Sequence, residues 1–168
     1  METLAKLSTV FDKNGIVTAG NASAITDGAA SLIVASEQAV KNYSLTPLAK
    51  ILSWYYVGVE PQLMGIGPAP AIIGALKRAG LTLQDMDLIE VNEAFAAQYI
   101  AVERELGLDR SITNTNGGAI ALGHPLGASG ARILAHLAYE LKRTNGRYAV
   151  GSACIGGGQG IAVVIERC

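Results

Sequence analysis

The apolar positions of this chain fall into two rhythms, and the stretches between them are rich in glycine and proline. Near the start, Leu4, Leu7 and Phe11 are spaced as one packed face, and Asn14-Gly15 marks a turn. Thr18 to Gly28 reads as a loop of small residues offering short polar groups. Ser31 to Ala35 is a short apolar run that predicts a strand, and Ser36 caps a predicted helix reaching Tyr43. Leu48 to Val57, dense in branched and aromatic residues around Trp54, predicts a longer strand.

Three glycines and three prolines between Gly58 and Pro70 make the sharpest break in composition. It divides the chain into an expected unit over 1–60 and a second over 61–168. In the second, Ala71 to Ala79 predicts a helix stopped by Gly80, with Ile72, Ile73 and Leu76 on one face. Asp87 to Val91 predicts a strand. Asn92-Glu93 then opens a helix whose Phe95, Tyr99, Val102 and Leu106 recur at helical spacing up to Gly107. A strand is expected over Ser111 to Thr115. The next helix, from near Ser129 to Asn145-Gly146, sets Ile133, Leu137 and Leu141 against a polar face of Arg132, His136, Glu140 and Arg143. Tyr148 to Ala153 and Ile161 to Glu166 predict a strand pair. This alternation argues an α/β fold whose mostly parallel sheet is closed by an antiparallel pair.

Composition adds a partner to this picture. Hydrophobic residues make up 50% of the 168 and charged residues 16%, against roughly 25% charged in an average soluble domain, so part of the surface should be covered. A net charge of -1 without a basic run removes the footprint that nucleic acid or an anionic membrane requires. Polar residues and glycines interrupt every apolar segment within about ten residues, well short of a membrane span. The first residues lack the pattern of a signal peptide and read as a truncated start. Two cysteines, Cys154 and Cys168, make neither a disulfide framework nor a zinc motif with His124 or His136, which favours a reducing compartment.

The chemistry gathers in two glycine loops. Asn116 to Gly130 holds five glycines in fifteen residues around His124-Pro125. The glycines let backbone and substrate approach the imidazole, and Pro125 restricts His124 to extended geometry. His124 is therefore either a structural loop histidine or a general base. Cys154 ends a predicted strand ahead of Ile155-Gly-Gly-Gly-Gln-Gly160. It reads as a small buried hydrophobe or, with glycine amides facing it, as a proton shuttle. Asn92 is a helix cap or the holder of a water, Ser23 a turn residue or a ligand contact, and Met64 packing. Neither loop has the spacing of a dinucleotide or Walker phosphate cradle.

Four blocks carry a family resemblance: Ala19-Gly-Asn-Ala-Ser23 with Asp27-Gly-Ala29, Asn92-Glu-Ala-Phe95, Gly117-Gly-Ala-Ile-Ala-Leu-Gly-His-Pro125, and Cys154-Ile-Gly-Gly-Gly158. In this order the chain resembles the C-terminal part of a thiolase, most like those of the mitochondrial 3-ketoacyl-CoA type. The resemblance implies a thiolase fold: a C-terminal half with a five-stranded mixed sheet packed by helices, preceded by the last strands of the N-terminal half. It implies that His124 activates a nucleophilic cysteine and helps form an oxyanion hole completed by a water on Asn92. It makes Cys154 the second catalytic cysteine and gives the backbone N–H of Gly156 to a second oxyanion hole. Ser23 would contact the pantetheine arm, and Phe95 would line the pocket near the thioester.

Coenzyme A is implied as co-substrate, with no metal or redox cofactor. A homo-oligomer in the mitochondrial matrix is expected, with cytoplasm or peroxisome as alternative locations. The acylated cysteine of thiolases lies in the N-terminal half, and neither Cys154 nor Cys168 can replace it. The chain alone is therefore expected to be inactive and to need that missing half as a partner. The alternatives are a non-catalytic acyl-CoA-binding or assembly module and, more remotely, a decarboxylating condensing enzyme, in which histidine commonly stands where Cys154 is.

Overall fold

A computed structural model describes residues 2–168. Its four-stranded sheet has the order β1-β4-β3-β2, with β1 at Ala49–Gly58, β2 at Leu88–Val91, β3 at Tyr148–Ile155 and β4 at Gln159–Arg167. Strands β2 and β3 run parallel, while β4 is antiparallel to both β3 and β1. The α/β layering and the closing antiparallel hairpin are as the sequence predicts, but only the β2–β3 pairing is parallel, so the sheet is mixed and not mostly parallel.

Helices cover both faces of the sheet. On one side α2 (Pro68–Ala79) and α3 (Ala96–Leu106) bury Ile72, Leu76 and Val102 against Ile89, Val91, Val150 and Val164. On the other, α5 (Ser129–Thr144) lays Ile133, Leu137 and Leu141 on Leu88, Ala149 and Ile165. Close approach fixes the α5 layer: a Cβ at Gly151 would stand 2.6 Å from the Ile133 side chain. Both α2 and α3 stop where the sequence places a glycine, with Gly80 at φ +69° and Gly107 at φ +64°, a left-handed geometry that costs glycine little. The short helix α1 (Glu37–Asn42) carries its expected cap, the Ser36 side chain accepting from the Ala39 N–H.

Several expectations are corrected. The sheet has four strands, not five. The segment Ser111 to Thr115 contributes one parallel bridge, Thr113 to Ile89, beside β2. Asn114 then turns to φ +50°. Its side chain takes over the ladder, with Oδ1 accepting from Val91 N–H at 2.9 Å and Nδ2 donating to Val91 O at 3.0 Å. The strand expected over Ser31 to Ala35 is absent, because no described segment pairs with it. Ile33 is 92% and Val34 78% exposed. Leu4, Leu7 and Phe11 do not form a packed helical face: only Leu4–Lys6 makes a 3-10 turn, and Phe11 is 74% exposed. The helix expected from Asn92 begins at Ala96, with Phe95 in the cap position, so Asn92 is not a cap.

The expected division near residue 60 cuts through one sheet. β1 lies before it, yet pairs along its length with β4, from Ala49 opposite Arg167 to Gly58 opposite Gln159. The Gly- and Pro-rich stretch is instead a tight crossover inside that unit. Gly67 packs on the Gln159–Gly160 backbone so closely that a Cβ at Gly160 would lie 2.0 Å from Gly67 O.

Candidate active site

His124 is held from three sides. Its N–H donates to Ala24 O at 3.0 Å, part of a parallel bridge between Ile25 and His124. The first and third sequence blocks are therefore neighbours in space, and their glycines show why: a Cβ at Gly123 would meet Thr26 Oγ1 at 2.2 Å, and one at Gly28 would meet Pro125 at 2.8 Å. Gly123 also sits at φ +94°. The loop is not irregular throughout, since α4 (Ala119–Leu122) occupies its middle.

A hydrogen-bond chain sets the imidazole tautomer. Ser129 Oγ donates to Pro125 O at 3.0 Å, which commits its one proton. The same Oγ lies 2.7 Å from His124 Nδ1; with its proton on Pro125 O it accepts there, an assignment that puts the neutral ring's proton on Nδ1 and the lone pair on Nε2. Asn92 Nδ2 faces Nε2 at 3.4 Å. Burial, reinforced by the nearby Arg132 charge, pushes the His124 pKa below its ordinary value and favours this neutral, basic form. Asn92 is 1% exposed, and its Oδ1 has no hydrogen-bond partner among the described residues. A buried amide oxygen left open beside a free imidazole nitrogen has room for one more donor, such as a water.

Cys154 stands on the neighbouring strand. The Asn92 N–H donates to Ser152 O at 2.9 Å, and Cys154 lies two residues further along β3, a step of about 7 Å. The structure thus joins His124 directly to Asn92 and sets Cys154 one strand step away, at the carboxyl ends of the parallel pair β2 and β3. In open α/β sheets that is where ligands bind. Burial pushes the Cys154 thiol pKa up, so it is a protonated group near neutral pH. Gly156 opens the β3–β4 turn, exposed and with clear space where a Cβ would be. Gly157 and Gly158, both at φ +86°, complete that turn, and Gly158 O accepts from Val59 N–H at 2.7 Å.

Ser23 and Phe95 meet through the backbone. Ser23 N–H and Oγ both donate to Ala94 O at 3.0 Å, and the adjacent Ala22 bridges Phe95. The Phe95 ring packs edge-on against Phe11 with centroids 5.9 Å apart. One segment, Asn21 to Thr26, therefore runs past both Phe95 and His124.

Sequence reasoning missed three residues here. Ser129 was read only as a helix start, although it lies one turn beyond His124-Pro125. Glu93 reads from sequence only as part of a helix opening and of the Asn92–Phe95 block. Its carboxylate accepts from Asn114 Nδ2 and from the Ile120 N–H, both at 3.2 Å, and lies where a Gly118 Cβ would go. The signal was the paired Gly117-Gly118 opposite an acid. Glu90, inside an apolar strand, is 1% exposed and pairs with Arg132 and with His136 Nδ1 at 2.5 Å. An acid in a continuously buried strand was its only mark.

The fold and site define a three-layer α/β/α unit with a neutral histidine, an asparagine and a protonated thiol near its strand ends. The family model described as thiolase, C-terminal domain, matches residues 45–167, and that described as thiolase, N-terminal domain, matches 1–38. The chain belongs to the thiolase family. It is 67% identical to the mitochondrial 3-ketoacyl-CoA thiolase of Homo sapiens and 57% identical to the beta-ketoadipyl-CoA thiolase of Escherichia coli, covering 99% of this chain and 42% of each relative. The crystal structure of the human mitochondrial enzyme superimposes with a TM-score of 0.93 at 64% identity, and that of the Bacillus anthracis acetyl-CoA acetyltransferase with 0.96 at 51%. The chain covers 99% of its own length and 42% of each of those chains. A further structure is of the human enzyme in complex with CoA. The chain thus spans less than half the length of these relatives.

Proposed function

We propose that this chain supplies the acid/base part of a 3-ketoacyl-CoA thiolase site, with CoA as co-substrate and no metal or redox cofactor, in fatty-acid β-oxidation. The observation that carries the reading is the free Nε2 of His124 beside the orphaned Asn92 Oδ1. His124 Nε2 takes the proton of a nucleophilic thiol contributed by a thiolase N-terminal half. That thiolate adds to the keto carbon of the substrate. The carbon–carbon bond then breaks, its electron pair leaves on the acetyl-CoA carbon, and the Cys154 S–H protonates it. A water on Asn92, with His124, stabilises the thioester oxygen, and the Gly156 N–H serves the acyl-enzyme. Ser23 contacts the pantetheine arm and Phe95 lines the thioester pocket.

The same reading makes the complete protein a homo-oligomer of the mitochondrial matrix, with 1–38 the end of its first domain. The raised pKa of Cys154 supports its role as an acid instead of the nucleophile. The test is complementation: the chain co-expressed with the N-terminal half of a mitochondrial thiolase, assayed for CoA-dependent cleavage of acetoacetyl-CoA and longer 3-ketoacyl-CoA. Activity that disappears in His124→Ala and Cys154→Ala supports the reading. A soluble assembled complex that binds CoA without turnover makes the chain a binding module instead.

A further inference from the structure

We propose that Glu90 is a positioning residue, a buried carboxylate that sets the placement of His124 relative to Asn92 by tying helix α5 to strand β2. The proposal rests on reading Asn92 and His124 as the working pair. Glu90 and Asn92 are two apart along β2 and its end, so they share the sheet face that Leu88 turns toward α5, while Ile89 and Val91 enter the opposite core. Glu90 Oε1 accepts from Arg132 and Oε2 pairs with His136 Nδ1, an i,i+4 pair on α5.

The same helix clamps the His124 loop at both ends. At one end Ser129, one turn before Arg132, holds His124 Nδ1. At the other, His136 Nε2 lies 3.0 Å from Asn116 Nδ2, where the glycine loop begins. Asn116 also helps, after Arg143, to lower the pKa of Glu140, whose carboxylate Arg143 grips. The loop is therefore fixed to one face of α5, and Glu90 fixes that face to the strand that ends in Asn92.

The apolar contacts of Ile133, Leu137 and Leu141 also hold α5 on the sheet. They are non-directional and permit small rotations and slides that a two-point ionic clamp does not. A buried carboxylate is costly, and packed apolar residues often serve stability as well or better. Geometry, not stability, is then what Glu90 contributes.

The chain has only two histidines, His124 and His136, so imidazole NMR reads each alone. In the full chain, the Asn92 side-chain amide signal is expected to move with the His124 titration midpoint. In Glu90→Gln, and in the apolar triple replacement Glu90→Leu with Arg132→Met and His136→Leu, that shared midpoint is lost while the fold remains. Should Glu90→Gln not fold, the triple variant carries the test alone. A folded variant in which the Asn92 amide still follows His124 as in the parent overturns the proposal. In the complemented enzyme Glu90→Gln is expected to lower kcat about 100-fold with KM unchanged, the cost of misplacement by about 1 Å. An inactive parent complex overturns the catalytic reading and leaves the NMR result standing as evidence for the clamp.

Discussion

Asn92 Nδ2 stands 3.4 Å from His124 Nε2, across 32 positions of sequence. The contact is longer than the usual ~3 Å of an N–H donor, so the Asn92 amide holds the imidazole lone pair only weakly. The assignment of that lone pair to Nε2 rests on the far side of the ring, where Ser129 Oγ, donating to Pro125 O, accepts from Nδ1.

Ser129→Ala should therefore act through the tautomer. Without an acceptor at Nδ1 the ring proton is free to move to Nε2, and base strength is lost where it is needed. Imidazole nitrogen shifts should show the Nε2–H form rising from a minor to a major species. Stability should fall by about 1 kcal/mol, the ordinary worth of one hydrogen bond. An unchanged Nδ1–H tautomer would mean that Ser129 does not set it.

The two histidines should give the chain opposite pH slopes. His136 has a pKa raised above its ordinary 6.5, chiefly by its hydrogen bond to Glu90. Its contribution is present below 6.5 and is lost as pH rises through the folded value. His124 has a pKa lowered below 6.5 by burial. The unfolded chain binds that proton more readily, so stability falls as pH drops below 6.5. Urea unfolding across pH 5 to 8.5 should show a histidine-linked maximum at about 6.5. His136→Gln should flatten the alkaline side and leave the acid side.

The sequence made the local elements legible where one residue type decides. Gly80, Gly107 and Asn145 end their helices in left-handed geometry, and Ser36 caps α1, because such ends depend on neighbours in the chain. Strand membership depends on distant partners and was less readable. Ser31 to Ala35 has the composition of a strand and no pairing segment among the described residues. Ser111 to Thr115 lost its ladder to the Asn114 side chain. β1 was assigned to the wrong side of a boundary because glycines and prolines mark a crossover as well as they mark a linker.

The site was legible as blocks and illegible as geometry. His124, Asn92, Cys154 and Ser23 stand out through their neighbours. The residues that hold them, Ser129, Glu93 and Glu90, act over 5 to 46 positions of sequence, and only Glu93 lies within one of the blocks. Arg132, His136 and Glu140 read from sequence as the polar face of a helix. Glu90 pairs with Arg132 and His136 and turns that face inward, and Glu140 is 5% exposed with its pKa pulled down to about 2, chiefly by Arg143.

The glycines separate into required and tolerant positions. Gly160→Ala places a methyl 2.0 Å from Gly67 O, backbone against backbone, with no side chain to yield. It should cost more than about 4 kcal/mol, the exceptional end of single substitutions. Gly123→Ala meets Thr26 Oγ1 at 2.2 Å and keeps a strained φ of +94°. It should cost about 1–3 kcal/mol and loosen the His124 backbone bond to Ala24. Gly127→Ala meets nothing within 4 Å and should change stability by less than about 0.5 kcal/mol. Denaturant midpoints and amide exchange at His124 read all three.

Cysteine reactivity tests the proposed acid without any substrate. A thiol that is to protonate a carbanion must hold its proton at neutral pH, and burial raises the Cys154 pKa in that direction. Cys168 is exposed at the last position, while Cys154 is only partly accessible. Limited alkylation with iodoacetamide at pH 8 should therefore label Cys168 first, with peptide mass mapping showing singly modified chain almost wholly at Cys168. Raising the pH should narrow the difference as the Cys154 thiolate forms. Preferential labelling of Cys154 near neutral pH would mean a stabilised thiolate at that position. Cys154 would then be placed as a nucleophile, and the division of labour between it and a thiol from the N-terminal half would have to be reversed.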